Sequence, residues 1–359
     1  MSKRDIMMKI WQESFSDPRS YVAMYFDRVY RDDEALTLAD AQGDTVSSLF
    51  LQHYSLTFHG TPLPVSYVAG AATRRSQRGK GYMSRLITEA LKASAARGDM
   101  MCTLIPSSEH LYFFYARFGF ETLFYTKEQR FTSLHTFPVS GEYVSLPGRP
   151  DDEVWSAFDR FQRSRRCYVC HTRRQFDNIL ADLEAEGGIF VVTGADDPDT
   201  GPRIVSMAWA VRRDDLLLVT DVMGEDEDAR TASLRELRRL CPGVPFLLYG
   251  RPTDSIGGRL MPRGMGRVVN AGMALSALAA AYPGFSSSVR VADHLMPELN
   301  SHTYVLRDGV MTVDDTLPAE KLGFDVTIEV LGAMLFSSPV VGDILRFPSE
   351  RPMISLMLD

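Results

Sequence analysis

The sequence predicts a mixed α+β chain built from more than one domain. Three observations lead there. Helix-period and strand-period segments alternate along the whole length. The chain has 359 residues, more than one ordinary domain of about 150 residues accounts for. The element order of the first third returns loosely in the middle third, and the last part alternates differently. With 45% hydrophobic and 24% charged residues, the composition is that of ordinary globular proteins. A disordered chain, a fibre and a disulfide scaffold are excluded on that ground, the last because there are only four cysteines.

The elements follow from local signals. Asp17-Pro18 offers a helix start, and Val22, Tyr25, Phe26 and Val29 then form one apolar stripe. Strands are expected at Ala35–Ala39, Val46–Thr57 and Val65–Thr73, with turns at Gln42-Gly43-Asp44 and His59-Gly60. The basic loop RRSQRGKG (74–81) opens a helix over Tyr82–Arg97, which Gly98 stops. Met101–Ile105 is a buried-type strand, Glu109–Arg117 a helix, and Phe120–Phe131 a further strand.

Residues 132–150 read as a linker, rich in Pro and Gly. Helices are then expected at Asp152–Phe161, Thr172–Glu186 and Ala229–Leu240. Strands are expected at Ile189–Thr193, Arg203–Arg212, Leu216–Val222 and Pro245–Tyr249. This is a second copy of the first topology with Gly224-Glu225-Asp226-Glu227-Asp228 where the basic loop stood, and four acids there would repel a phosphate. Residues 264–284 read as a helical connector. The last part holds strands at Val289–Ala292, Thr303–Arg307, Val310–Val313 and Asp325–Ile328, a helix at Val330–Phe336 and a final strand at Pro352–Leu358. The expected domains are 1–135, 145–262 and 263–359.

Net charge is −7, from 39 Lys and Arg against 46 Asp and Glu, which does not suit a nucleic-acid partner. The most apolar stretch, Ala271–Tyr282, is too short for a membrane span of about 20 residues. The start MSKRDIMMKIWQESFSD has no apolar run of signal-peptide length. A reducing, cytoplasmic compartment is expected.

The loop carries the chemistry. A helix start presents unpaired amides and a positive dipole end. Gly79 and Gly81 leave those amides open to an anion, and Arg78 and Lys80 add positive charge. A pyrophosphate site is the functional reading and a plain tight turn the simpler one. The Walker A pattern fails because Gly81-Tyr82 follows the Lys. The dinucleotide fingerprint fails because Ser84 stands at its third glycine position.

The segment VAGAATRRSQRGKGYMSRLI resembles the acetyl-coenzyme A segment of the GCN5-related N-acetyltransferases (GNAT), whose loop reads Q/R-x-x-G-x-G/A. Ser76 departs from the preferred Gln or Arg, while Gly79 and Gly81 match. Phe114-Tyr115-Ala116-Arg117-Phe118-Gly119-Phe120 is similar to the superfamily's FYxxxGF element. Together with the stretch RGMGRVVNAGMAL and the three-part length, the whole chain resembles the enhanced intracellular survival (Eis) family. That resemblance implies tandem GNAT folds, catalytic then degenerate, followed by a small domain like sterol carrier protein.

The resemblance further implies an acetyl-CoA-dependent N-acetyltransferase acting on a small-molecule or peptide primary amine, aminoglycoside-like or a lysine side chain. No metal is implied, and a homo-oligomer is. Ala71, Ala72 and Thr73 would offer backbone groups to the acetyl and pantetheine chain. Arg78, Gly79, Lys80, Gly81, Tyr82, Met83 and Ser84 would wrap the pyrophosphate. Tyr115 would protonate the leaving thiolate, and the terminal carboxylate, here of Asp359, would accept the amine's proton. Glu109 is the competing base, or a plain helix-start carboxylate. The alternative function is a CoA- or lipid-binding protein without turnover.

Cys167-x-x-Cys170-His171 fits a c-type haem attachment pattern, but that chemistry goes with export. Zinc would need four ligands. Two buried thiols are the better reading, and the arginines nearby (Arg163, Arg165, Arg166, Arg173 and Arg174) read as solvated helix surface.

Overall fold

The computed structural model describes residues 1–196, 201–254 and 257–358. By its internal contacts the chain forms two compact units. One holds Met1–Phe124 and Pro262–Pro352, the other Tyr125–Met261 and Met353–Leu358.

The first unit opens with α1 (Lys3–Ser14), which the sequence reading did not anticipate. Ser2 and Asp5 form a reciprocal capping box, and Met7, Ile10 and Trp11 are its buried face. The helix expected from Asp17 is shorter, α2 (Arg19–Met24), and runs on as a π turn over Tyr25–Val29. Pro18, not Asp17, precedes its first residue. The Asp17 carboxylate instead accepts from the Trp11 indole at 2.7 Å.

Then come β1 (Ala35–Ala39), β2 (Thr45–Phe58), β3 (Thr61–Thr73), α3 (Tyr82–Ala96), β4 (Met101–Leu104), α4 (Glu109–Ala116) and β5 (Glu121–Phe131). The β2–β3 hairpin turns at His59 and Gly60, both with positive φ.

The second unit contains β6 (Val144–Leu146), α5 (Asp152–Ser164), β7 (Val169–Cys170), α6 (Arg173–Ala185), β8 (Ile189–Ala195), β9 (Arg203–Arg213), β10 (Leu216–Gly224), α7 (Glu227–Leu240) and β11 (Phe246–Gly250). Its strands lie in the order β5-β11-β10-β9-β8-β6. β10 and β11 are parallel with α7 between them in sequence, and the neighbours on either side are antiparallel.

The chain returns to the first unit through β12 (Arg259–Val268), where a helical connector was expected. Met265 to Val268 pair antiparallel with Leu104 to Met101. Gly264 and Gly266 make a helix costly here, and a Cβ at Gly266 would press on Leu123 and Met101 at 2.9 Å. The strand order β1-β2-β3-β4-β12, with α3 between β3 and its parallel neighbour β4, repeats the pairing pattern β8-β9-β10-β11-β5 of the second unit.

The remaining elements are α8 (Ala271–Ala281), β13 (Ser287–Ala292), α9 (Pro297–Asn300), β14 (Thr303–Arg307), β15 (Val310–Val313), β16 (Phe324–Thr327), α10 (Ile328–Leu335) and α11 (Pro339–Leu345). They include a separate sheet of order β15-β14-β13-β16. The final strand expected at 352–358 does not form. Met353 alone bridges to Tyr168, and Leu356 takes a positive φ that ends any extended run. No single helix among the described residues is long and apolar enough to cross a membrane.

His171, expected near two buried thiols, is itself buried in the second unit, as are Cys167 and Cys170. Burial pushes its imidazole down to about 4, and the nearby Arg165 cation adds to that, against Asp221 and the Leu356 backbone. The folded pKa lies below the unfolded one, so the unfolded chain binds the extra proton as pH falls. Stability from this group is present above about 6.5 and lost as pH drops through about 4, amounting to about 3 kcal/mol at the limit. His171→Gln is expected to flatten the loss of melting temperature between pH 6.5 and 4. An unchanged acid limb would contradict the assignment.

Candidate functional site

The site begins with a fault in β3. Ser48 pairs with Ala72 and Phe50 with Ala69, so Gly70 and Ala71 together oppose the single residue Leu49. This is a β-bulge, which turns backbone groups out of the ladder. Gly70 has φ +56°, and a Cβ there would overlap the Trp11 ring. Only glycine meets both demands. Ser47 braces the far side, donating to the Ala72 carbonyl at 3.1 Å and bonding the Thr73 hydroxyl at 2.8 Å.

β3 also loses its parallel neighbour. Its pairs with β4 run from Val65↔Met101 to Tyr67↔Thr103. β4 ends at Leu104 while β3 continues to Thr73. The two strands part just where the bulge lies. Ala71, Ala72 and Thr73 therefore sit on a strand end with one edge outside the β3–β4 ladder.

The loop after β3 is tied down at its start by α1. Glu13 accepts from the Arg75 amide, its carbonyl accepts from Arg75 Nε at 2.9 Å, and its carboxylate lies 3.7 Å from Arg74. Gly79 and Gly81 have φ of +77° and +80°, with open space where a Cβ would stand. Backbone conformation, not crowding, selects glycine there. Gly81 is the N-cap of α3 and provides no side-chain cap. Tyr82, Met83 and Ser84 thus open a 15-residue helix with unsatisfied amides and a positive dipole end. Arg78 donates to the Thr73 carbonyl at 3.1 Å and Lys80 to Gln77 at 2.8 Å. Both are exposed and neither is ion-paired among the described residues.

The second copy differs at the same point. Asp226 caps α7 by accepting from Ala229 at 2.8 Å. Asp228 takes the amides of Ser140 and Gly141. This unit also holds a cavity of about 250 Å³ beside β10 and β11. Its charges are already matched, Arg251 with Asp254 at 2.7 Å, Arg230 with Glu227, and Asp221 with Arg165. It offers no anion seat like that of α3.

Tyr115 lies on α4 and is 7% exposed. It shares one apolar cluster with Val68, Leu86, Ile87, Leu104 and Phe120, against which Ala71 and Met83 also pack. The bulged strand, the start of α3 and the phenol are thus drawn to one core. The Tyr115 hydroxyl makes no hydrogen bond among the described residues. Burial pushes it up to about 12, with Cys102 on β4 contributing. Glu109 is exposed in the first turn of α4. Asp359 lies outside the described residues.

One part of the site was not read from the sequence. Arg267 on β12 is fully buried and donates to the Phe118 carbonyl at 2.7 Å, just past the end of α4. Its other end meets Asp293 at 2.7 Å. Asp293 also accepts from the Leu295 amide and from Asn300, both at 2.9 Å. Burial raises the Asp293 carboxyl, but Arg267 and these donors outweigh it and hold it below the usual range. Gly119 has φ +81°, and a Cβ there would sit 3.0 Å from the Arg267 guanidinium. The glycine of the second motif therefore makes room for the arginine that fixes the helix carrying Tyr115.

Residues 2–123 match the family model of an acetyltransferase (GNAT) domain. No curated protein matches the chain in sequence. Solved structures of similar fold span nearly all of it. Eis1 from Mycobacterium abscessus is 15% identical with a TM-score of 0.74, over 98% of this chain and 96% of that one. A probable N-acyltransferase from Enterococcus faecalis is 15% identical with a TM-score of 0.77 over the same shares. A GCN5-related N-acetyltransferase from Kribbella flavida is 17% identical with a TM-score of 0.71, again over 98% and 96%. The chain has a mixed α/β fold of GNAT type. Its acetyltransferase domain makes it an enzyme of acyl transfer.

Removing one partner of a buried ion pair leaves the other uncompensated. Arg267→Ala is therefore expected to lower unfolding free energy by about 3–5 kcal/mol in urea titration. A change under about 1 kcal/mol would remove Arg267 from this account.

Proposed function

We propose that the chain is an acetyl-CoA-dependent N-acetyltransferase that acetylates a primary amine by direct attack. The observation that carries this reading is the bulged, parted end of β3 running into an uncapped helix start, with a buried phenol in the same core. The amides of Tyr82, Met83 and Ser84, freed by Gly79 and Gly81, would hold the diphosphate, with Arg78 and Lys80 adding charge. Ala71, Ala72 and Thr73 would pair with the amide groups of the pantetheine arm, and a backbone N–H there would polarise the thioester oxygen.

Tyr115, near 12, stays protonated at neutral pH, the state a donor needs. It is a weaker acid than a thiol of reference value about 8.5, by roughly 3.5 units or about 5 kcal/mol. Its first contribution is then a hydrogen bond to the sulfur as negative charge builds there. The amine must shed a proton, and we assign its acceptance to the terminal carboxylate of Asp359. The acceptor class we favour is aminoglycoside-like or a lysine side chain, on the sequence resemblance. The sterol-carrier-like reading of the last part rests on the same resemblance. A homo-oligomer has its best support in α11, where Val340 and Ile344 are exposed at 68% and 76%.

Thiol release from acetyl-CoA with a panel of primary amines tests the reaction. Release above background with at least one amine is expected. Acetyl-CoA binding with no release for any amine would favour a CoA-binding protein without turnover.

Tyr115→Phe is expected to lower kcat about 10²-fold, at the low end of acid–base contributions, with KM for acetyl-CoA within threefold. Unchanged turnover would return Tyr115 to a packing role. Gly81→Asp sets a carboxylate at the helix start, where Asp tolerates positive φ better than most residues. The expected result is a fold retained in thermal melts and acetyl-CoA affinity down at least tenfold by calorimetry. Undiminished affinity would move the diphosphate away from α3.

A further inference from the structure

The arginines beside the Cys167–His171 motif read as solvated surface in the sequence. For Arg165 the structure corrects this. Its side chain is 9% exposed and grips Asp221 through both guanidinium nitrogens, at 2.7 and 2.8 Å. It also donates to the Val222 carbonyl at 3.0 Å and covers the Tyr168 ring at 4.6 Å. Asp221 stands just past a bulge in β10, where the pairing with β9 slips between Val219 and Asp221.

The chain's last segment is fastened to this pair. The Ser355 hydroxyl donates to Asp221 and bonds the Tyr168 hydroxyl at 2.9 Å. The Met353 amide donates to the Cys167 carbonyl at 2.9 Å, and the Val169 amide donates to the Met353 carbonyl at 3.1 Å. His171 lies against the Leu356 backbone. Ile354 and Leu358 are buried.

Apolar burial alone is non-directional, and a buried ion pair adds little net stability over a hydrophobic substitute. What Asp221 adds is direction. With Arg165 neutralising it, the carboxylate is a fixed acceptor that only one register of the tail satisfies. We propose that Asp221 and Arg165 form a latch for the C-terminal segment, with Ser355 as its catch, so that the second unit positions the chain's last residues. Four residues follow Ser355. Even fully extended they reach roughly 14 Å, so a latched Ser355 limits how far the residues after it can reach. The consequence for catalysis rests on the role proposed above for the carboxylate of Asp359.

The test uses the full chain and the Ser355→Ala and Ser355→Ala/Tyr168→Phe variants, which keep the Arg165–Asp221 pair and so the fold. Carboxypeptidase trimming, read by mass spectrometry, reports the tail. Release past Leu356 at least tenfold faster in the variants, with melting temperature within a few degrees of the parent, is expected. Equal release rates in parent and double variant would overturn the latch. Amine acetylation then separates the two ideas. A fall in kcat with KM for acetyl-CoA unchanged supports both. A loosened tail with kcat intact supports the latch and removes the terminal carboxylate from the reaction.

Discussion

The site depends on a strand that keeps one neighbour and gives up the other. β3 is held to β2 along its whole length, yet its pairs with β4 stop at Tyr67. Backbone groups beyond that point lie outside the β3–β4 ladder, and polar groups of a sheet interior do not stay unmatched without a partner of some kind. Under the proposed function, a pantetheine arm with its own amides would be such a partner. The bulge at Gly70 is what lets the strand end turn without breaking its hold on β2, and Trp11 seals the back of that turn. Everything downstream inherits this geometry: where the loop starts, where α3 begins and which way its amides face.

The two copies of the fold diverge at the helix start. Each has a helix between two parallel strands, and each helix start must satisfy its free amides. α7 does so with its own Asp226. α3 does not, because Gly81 has no side chain to offer. A helix start that satisfies itself is closed to an anion, and one left open can accept it. The second copy has instead put a buried carboxylate, Asp221, to work on the chain's own tail.

Much of the candidate site was legible in the sequence because its backbone demands fall on residue types that stand out. Gly79, Gly81 and the FYxxxGF element mark positive φ and a fixed aromatic, and glycine meets the first demand at least cost. The parallel second copy was legible from its element order. What was not legible depends on partners far away in sequence. Gly70 reads as one more small residue in a strand until Trp11 is placed against it. Arg267 sits in a glycine-rich run that reads as a connector, and nothing local says that Phe118 and Asp293 await it. Arg165 has the charged neighbours of a surface residue, and only Asp221, 56 positions on, draws it inside. α1 was missed because its apolar face is short, and the loop after β3 is braced through it. The expected final strand failed for the opposite reason. Met353, Ile354 and Leu358 are buried, but a single backbone bridge and side-chain anchors hold the segment in place of a ladder.

The central claim is that the diphosphate of acetyl-CoA rests on the open amides of α3 while its arm lies along the parted end of β3. A crystal structure of the complex with acetyl-CoA tests it most directly. Phosphate oxygens within hydrogen-bond distance of the amides at 82–84, and the thioester sulfur within reach of the Tyr115 hydroxyl, are the expected result. Acetyl-CoA bound elsewhere, with those amides facing only water, would contradict it.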